Sequence, residues 1–280
     1  MRSAERRVIL GLYRARPTRD LLEAALDLGI TALDTAYNYQ HFDGHRALAT
    51  AAGELLDRFE ISTKVGFFPG GHSLEPARLR AAVEQTVSEL GRAPTTVLLH
   101  NPECSPQEFQ RACEALAAMR DAGLCQAWGL SSWNPQPLLG FAPRAEPDVL
   151  MVRAGLTVPA GDLDASEQLA VRLQPKQLWG MAPFGGNAAD PVWSAVNTGQ
   201  FLEAGQDVTG PEAAFATAFA IPQVTAVAVG TQDARHLEEL RHAAELRTDF
   251  NTVARYRTLI TRRHKLNEAA SAKAQENAPA

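Results

Sequence analysis

Apolar positions along the chain fall into two spacings. Short, almost wholly apolar runs of about five residues recur: VILGLY from Val8, TALDTA from Thr31, EISTKV from Glu60, TVLLH from Thr96, CQAWGL from Cys125, DVLMV from Asp148, QLWGM from Gln177 and TAVAVG from Thr225. Between them lie longer stretches with one apolar helical face, such as Leu21, Leu22, Ala25, Leu26 and Leu28, or Leu79, Ala82, Val83, Thr86, Val87 and Leu90. Thr18 or Asp20 can cap the first of these and Gly29 ends it; Ser73–Pro76 opens the third and Gly91 closes it. Strands that are apolar on both faces and separated by helices are parallel, because each βαβ crossover lays a helix over a strand pair.

Eight such units in a chain of 280 residues predict a single closed (β/α)8 TIM barrel, a fold that takes ~250 residues. The first strand runs into GLYRAR instead of GxGxxG, so a dinucleotide would be held without a Rossmann turn. No linker interrupts the pattern, and residues 1–280 read as one barrel domain, its core over about 8–246 and a C-terminal helix or tail over 247–280. The 27 basic and 32 acidic side chains leave a net charge of −5 and no basic block, which argues against nucleic acid as a partner. No apolar run approaches the ~20 residues of a membrane helix, and the one near the N-terminus is too short for a signal peptide. Cys104, Cys113 and Cys125 fit neither a CxxC nor a zinc spacing. A cytoplasmic protein with no membrane partner is expected.

In such a barrel the chemistry sits where strands end and βα loops begin. Asp34 ends the second strand, with Tyr39 five residues on; Lys64 ends the third and His100 the fourth. On three adjacent strands these groups would point into one small volume. Burying either charge alone would cost several kcal/mol, so Asp34 and Lys64 are expected to pair. A phenol of pKa ~10 is a poor acid at neutral pH, and an ammonium within ~4–6 Å lowers that value. Tyr39 therefore reads as a tuned proton donor to an oxygen that gains negative charge as a carbonyl is reduced, with His100 orienting that oxygen. His41 and His45 flank Asp43 at helical spacing, but with no further ligand in view a solvated loop–helix junction explains them better than zinc.

These residues resemble the aldo-keto reductase family. GITALDTAYNY (29–39) is similar to its second-strand motif, ISTKVG (61–66) to its Lys strand, and TVLLHNP (96–102) to its His strand. WGLSSWN (128–134) and TAVAVGTQDARHLEEL (225–240) resemble its nicotinamide-carboxamide and cofactor-phosphate segments, all in the family's order over roughly residues 8–246. The resemblance implies an aldo-keto reductase-type barrel that binds NADP, or NAD, extended across its mouth. It also implies Tyr39 as general acid, assisted by Asp34, Lys64 and His100. Ser131 and Ser132 would hold the carboxamide. Met151 stands where the family usually has a Gln, and Met181 where it has a stacking aromatic, with Trp179 two residues earlier. Pro183, Phe184 and Gly185 follow in the next loop, while Gly230, Thr231, Gln232, Arg235, His236 and Glu239 would meet the adenosine phosphates and adenine. Arg235 and His236 lean the choice towards NADP.

Tyr13, Phe67, Phe68, Trp128, Trp133 and Phe184 would line an apolar pocket for a small carbonyl or alcohol substrate. The expected activity is NAD(P)H-dependent reduction of an aldehyde or ketone, reversible to alcohol oxidation. Two alternatives keep the cofactor: epimerase or lyase chemistry without net redox, and a regulatory NADP(H)-binding protein.

Overall fold

A computed structural model describes residues 6–141, 145–206 and 208–276. Eight strands close into a barrel, each parallel to its neighbours: β1 (Arg7–Gly11), β2 (Ala32–Asp34), β3 (Glu60–Val65), β4 (Thr96–His100), β5 (Ala127–Ser132), β6 (Val149–Arg153), β7 (Gln177–Met181) and β8 (Ala226–Val229). Pairing of β1 with β8, Arg7 opposite Ala226, seals the ring. Side chains alternate along each strand. One set, Ile9, Ala32, Leu98, Val149, Met151, Trp179, Ala226 and Ala228, fills the barrel interior. The other set, including Val97, Leu99, Trp128, Leu130, Leu150 and Val152, packs beneath the helices. At Gly129 the neighbouring strand comes so close that a Cβ would lie 2.0 Å from the Val149 carbonyl oxygen.

The helices start and stop where their side chains dictate. α1 (Arg19–Asp27) is capped by Thr18, whose hydroxyl accepts the Leu21 N–H at 3.3 Å, and Gly29 then turns left-handed at φ +73°. After α2 (Gly44–Ala52), α3 (Pro76–Leu90) has Pro76 in its first turn and the Glu75 carboxylate on the N–H groups of Ala77 and Arg78, with Gly91 closing it at φ +69°. α4 (Phe109–Asp121) follows β4 and α5 (Ala160–Leu173) follows β6. α6 (Val192–Ala195) and α7 (Gly210–Ala218) both follow β7, and α8 (Ala234–Ala243) follows β8. The unit after β5 breaks the expected repeat. Among the described residues it holds only a 3₁₀ stretch, Gln136–Gly140, flanked by Pro135 and containing Pro137, neither of which can donate a helical hydrogen bond.

The C-terminal segment is a long helix, α9 (Phe250–Glu276). Its beginning is anchored: Val253, Tyr256 and Ile260 pack with Val158, Leu163, Phe201 and Ile221. The Tyr256 hydroxyl donates to the Leu156 carbonyl at 2.5 Å and Arg257 pairs with Glu167 at 2.5 Å. The last four residues of the expected tail, 277–280, lie outside the described ones. Among the described residues no helix is long and apolar enough to cross a membrane.

Candidate active site

The strand parity that fills the barrel also places its polar residues. Two positions beyond Ala32 on β2 comes Asp34, two beyond Leu98 on β4 comes His100, and two beyond Gly129 on β5 comes Ser131. On β3, Ser62 and Lys64 face the same way. Asp34, Lys64, His100 and Ser131, with Tyr39 from the loop after β2, border a cavity of about 1090 Å³ at the barrel mouth.

Lys64 is 2% exposed and Asp34 5%. An ammonium has three donors, and each is spent: on Asp34 Oδ2 at 2.5 Å, on the Thr35 carbonyl at 3.0 Å and on the Tyr39 hydroxyl oxygen at 3.3 Å. The other oxygen of Asp34 accepts from the Ser62 hydroxyl at 2.9 Å. Desolvation opposes the Lys64 charge, but Asp34 and Tyr39 outweigh it, and the amine is held above its ordinary value. Tyr39 departs from the sequence-based expectation. Burial, together with the Asp34 charge, raises its pKa more than Lys64 lowers it, so the phenol stays protonated into the alkaline range.

Beside Tyr39, its ring centroid 6.1 Å away, lies the imidazole of His100. Desolvation, then the charges of Lys64 and His72, hold His100 well below 6.5, and its buried Nδ1 has no hydrogen-bond partner. The chain passes over it at Gly66, where a Cβ would sit 2.9 Å from the His100 carbonyl oxygen at a φ of +145°. A short ladder of Phe67–Phe68 against Gly71–His72 then folds back. It sets the Phe67 ring edge-on to His100 at 4.9 Å and brings His72 Nε2 within 2.9 Å of the His100 carbonyl oxygen.

Backbone strain gathers at the same rim. Gln40, His41 and Phe42 adopt φ values of +50°, +57° and +70° in succession, and Asn101 and Ala182 sit at +47° and +53°. Each costs about 1–2 kcal/mol for a non-glycine residue, and such strain persists where a site's geometry demands it. His45, the other half of the considered zinc pair, is buried against Thr63 with Nε2 and Oγ1 2.7 Å apart. No cluster of potential metal ligands forms among the described residues.

The residues expected to hold a dinucleotide divide. Ser131, Met181, Pro183, Phe184, Gly185, Gly230, Thr231 and Gln232 line the cavity. The Ser131 hydroxyl reaches only two thioethers, Met151 and Met181, each at 3.7 Å, so its donor capacity is nearly unused. Met151 itself is fully buried below the cavity floor. Ser132, next along β5, points the opposite way and donates to Glu103 Oε2 at 2.9 Å, so the two serines face different surroundings. Arg235, His236 and Glu239 are exposed on α8, beyond the cavity wall. There Arg235 is engaged by Asp233 at 2.8 Å and His236 Nδ1 lies 3.3 Å from the Thr231 hydroxyl.

The aromatic expectation is also corrected in part. Tyr13, Phe67, Trp133 and Phe184 line the cavity, whereas Phe68 borders an adjoining pocket. Trp128 has no exposure, because its position on β5 faces the helix layer.

Two features escape sequence reading. Ser62 carries a period-two signal, two residues before Lys64 on the same face. Glu103 carries none: its carboxylate accepts from Ser132 and from the N–H groups of Trp133 and Asn134 at 2.9, 2.7 and 2.9 Å. It thereby fixes Trp133 at the rim, where the Arg153 guanidinium stacks 4.9 Å over the indole.

Comparison with known proteins places this geometry. The profile of the aldo/keto reductase family matches residues 13–153. No curated protein matches the sequence. Among solved structures, the holo form of the aldo-keto reductase AKR11C1 of Bacillus halodurans superposes with a TM-score of 0.72 at 18% identity, covering 91% of each chain. An aldo/keto reductase of Klebsiella pneumoniae in complex with NADP and acetate gives a TM-score of 0.69 at 18% identity, again over 91% of each chain. A Pseudomonas aeruginosa protein assigned to the same family gives 0.63 at 26% identity, over 85% of this chain and 89% of that one. The structural likenesses at 18% identity speak for the barrel alone. The profile match runs from the loop after β1 to the end of β6, half of the chain, and by it the protein belongs to the aldo/keto reductase family and is an oxidoreductase.

Proposed function

We propose that the protein reduces an aldehyde or ketone with NADPH, and in reverse oxidises the alcohol, with Tyr39 as general acid. One observation carries this reading. Lys64 donates to the Tyr39 oxygen, so the phenol's own hydrogen is left for an oxygen in the cavity. Burial keeps that hydrogen in place at neutral pH. As the phenol gives it up, the fixed ammonium at 3.3 Å stabilises the phenolate that forms. His100, kept neutral by desolvation, can donate one hydrogen bond to the same substrate oxygen without adding charge. Asp34 holds the ammonium in register and is itself braced by Ser62.

When bound, the reduced nicotinamide supplies the hydride to the carbonyl carbon. The carbonyl π bond becomes an O–H bond with the Tyr39 proton, and Tyr39 is reprotonated from solvent. The chain's residues fit such a cofactor. Ser131 presents a hydroxyl bonded only to the weak thioether acceptors of Met151 and Met181, free to turn to a carboxamide oxygen. Gly186 at φ +93°, with nothing within 4 Å of where a Cβ would stand, leaves backbone open to a phosphate chain. Arg235 and His236 stand at the start of α8, where a 2′-phosphate would compete with Asp233 for the guanidinium. The NADP held by the Klebsiella relative supports NADP over NAD.

The test has two parts. Titration with NADPH and, separately, NADH, followed by quenching of Trp133 at the rim, should show saturable binding, tighter for NADPH. In single turnover with an aldehyde, Tyr39→Phe should lose roughly 10²–10⁴-fold in rate with cofactor affinity retained. Wild-type turnover in that variant would remove Tyr39 from its role, and no binding of either nucleotide would overturn the reductase reading.

A further inference from the structure

Next to the main cavity, on the side away from β7 and β8, lies a second pocket of about 580 Å³. The loops after β1, β2 and β3 build it, and Tyr39 belongs to both spaces. Its walls are aromatic. Tyr13 packs against Tyr39 at 5.1 Å, Phe42 and Phe68 meet Tyr37 at 5.5 and 5.8 Å, and the Arg78 guanidinium stacks 4.3 Å over Phe68.

The charge on this pocket runs against the chain as a whole. The protein is acidic, at −5, yet Arg14, Arg16 and His41 border the pocket and no carboxylate does. In the main cavity the one carboxylate, Asp34, is already taken by Lys64. Arginines nearby are neutralised: Arg19 by Glu54 at 2.5 Å and Arg46 by Asp43 at 3.0 Å. Arg16 has no hydrogen-bond or ion-pair partner among the described residues, and Arg14 donates only to the Gly186 carbonyl at 3.1 Å. The strained run Gln40–Phe42 forms one wall of this pocket, so the chain sustains an unfavourable backbone where it shapes the space.

Resting on the reductase reading above, we propose that the substrate is an anionic carbonyl compound. Its aldehyde or ketone lies at Tyr39, an apolar or aromatic body lies between Tyr13, Phe42, Phe67 and Phe68, and a carboxylate or phosphate at its far end meets Arg14 and Arg16. Charge-assisted bonds from guanidinium suit either anion. A cofactor phosphate is the other possible source of negative charge. Arg14 borders both spaces, but Arg16 borders only the pocket walled by the first three loops, so Arg16 separates the two sources.

The experiment compares 4-carboxybenzaldehyde with its neutral isostere 4-formylbenzamide, NADPH as reductant. The quantity read is the ratio of their kcat/KM values, in the wild type, Arg16→Gln and Arg14→Gln. The ratio should fall about 3- to 10-fold in Arg16→Gln, chiefly through KM of the acid. It should also fall in the wild type as salt is raised past about 0.1 M, as screening requires. An unchanged ratio in both variants, with both aldehydes turned over, overturns the anionic substrate class and leaves the reductase reading standing. A weakened NADPH affinity in Arg16→Gln with an unchanged ratio assigns the arginine to the cofactor and equally overturns the proposal. Absence of turnover of either aldehyde, with NADPH bound, overturns the reductase reading and this one with it.

Discussion

The Lys64–Asp34 pair offers the sharpest check on the energetics of the site. Both side chains are almost without solvent contact, and their Nζ–Oδ2 distance is 2.5 Å. Removing one partner of a buried ion pair costs about 3–5 kcal/mol, because the survivor stays desolvated and uncompensated. In Lys64→Met the Asp34 carboxylate keeps only the Ser62 hydroxyl; in Asp34→Asn the Lys64 ammonium keeps the Thr35 carbonyl and the Tyr39 oxygen. Those remaining bonds place both single variants near the lower end, about 3 kcal/mol each. The double variant buries no charge, and its expected loss is about 1–2 kcal/mol where simple addition gives about 6. Urea unfolding followed by circular dichroism measures this. With a slope near ~3 kcal/mol/M, each single variant shifts the midpoint by roughly 1 M. Additive losses, each under ~1 kcal/mol, would show that the pair behaves as a screened surface contact, and the argument for a desolvated ammonium beside Tyr39 would fail.

Two further predictions concern protons and the rim. Tyr39 is held above 10 and His100 below 6.5. Raising the pH therefore deprotonates the proposed acid only beyond the ordinary phenol range, and lowering it charges His100 only well below 6.5, so the single-turnover reduction rate should stay flat from about pH 6.5 to about pH 9.5; a limb near neutrality would show that one of the two titrates as in water. Glu103→Gln replaces a carboxylate that accepts three hydrogen bonds with an amide that has a single acceptor oxygen. It should loosen Trp133, raise KM for the aldehyde several-fold and cost about 1–2 kcal/mol of stability, and an unchanged KM with unchanged Trp fluorescence anisotropy would remove Glu103 from the role of holding the rim.

Much of this protein is set by periodicity within short stretches of its own chain. The two spacings of apolar residues define strands and helices, Thr18, Gly29 and Gly91 mark helix ends, and alternation along β2, β3 and β4 puts Asp34, Lys64 and His100 on the inward face, so a polar constellation at the barrel mouth is legible in the sequence. The same parity separates Ser131 from Ser132 and sends Trp128 to the helix layer, yet the family likeness treated the two serines as neighbours in function. What depends on residues far apart in sequence was decided by the tertiary structure. Glu103 reaches β5 from the loop after β4, the connection from β5 to β6 has no α-helix among its described residues, and Arg14 and Arg16 come to face a pocket that no carboxylate borders. The direction of the Tyr39 shift belongs here too. A nearby ammonium can be anticipated from sequence, but the desolvation that outweighs it depends on how completely the surrounding chain excludes water, and only packing determines that.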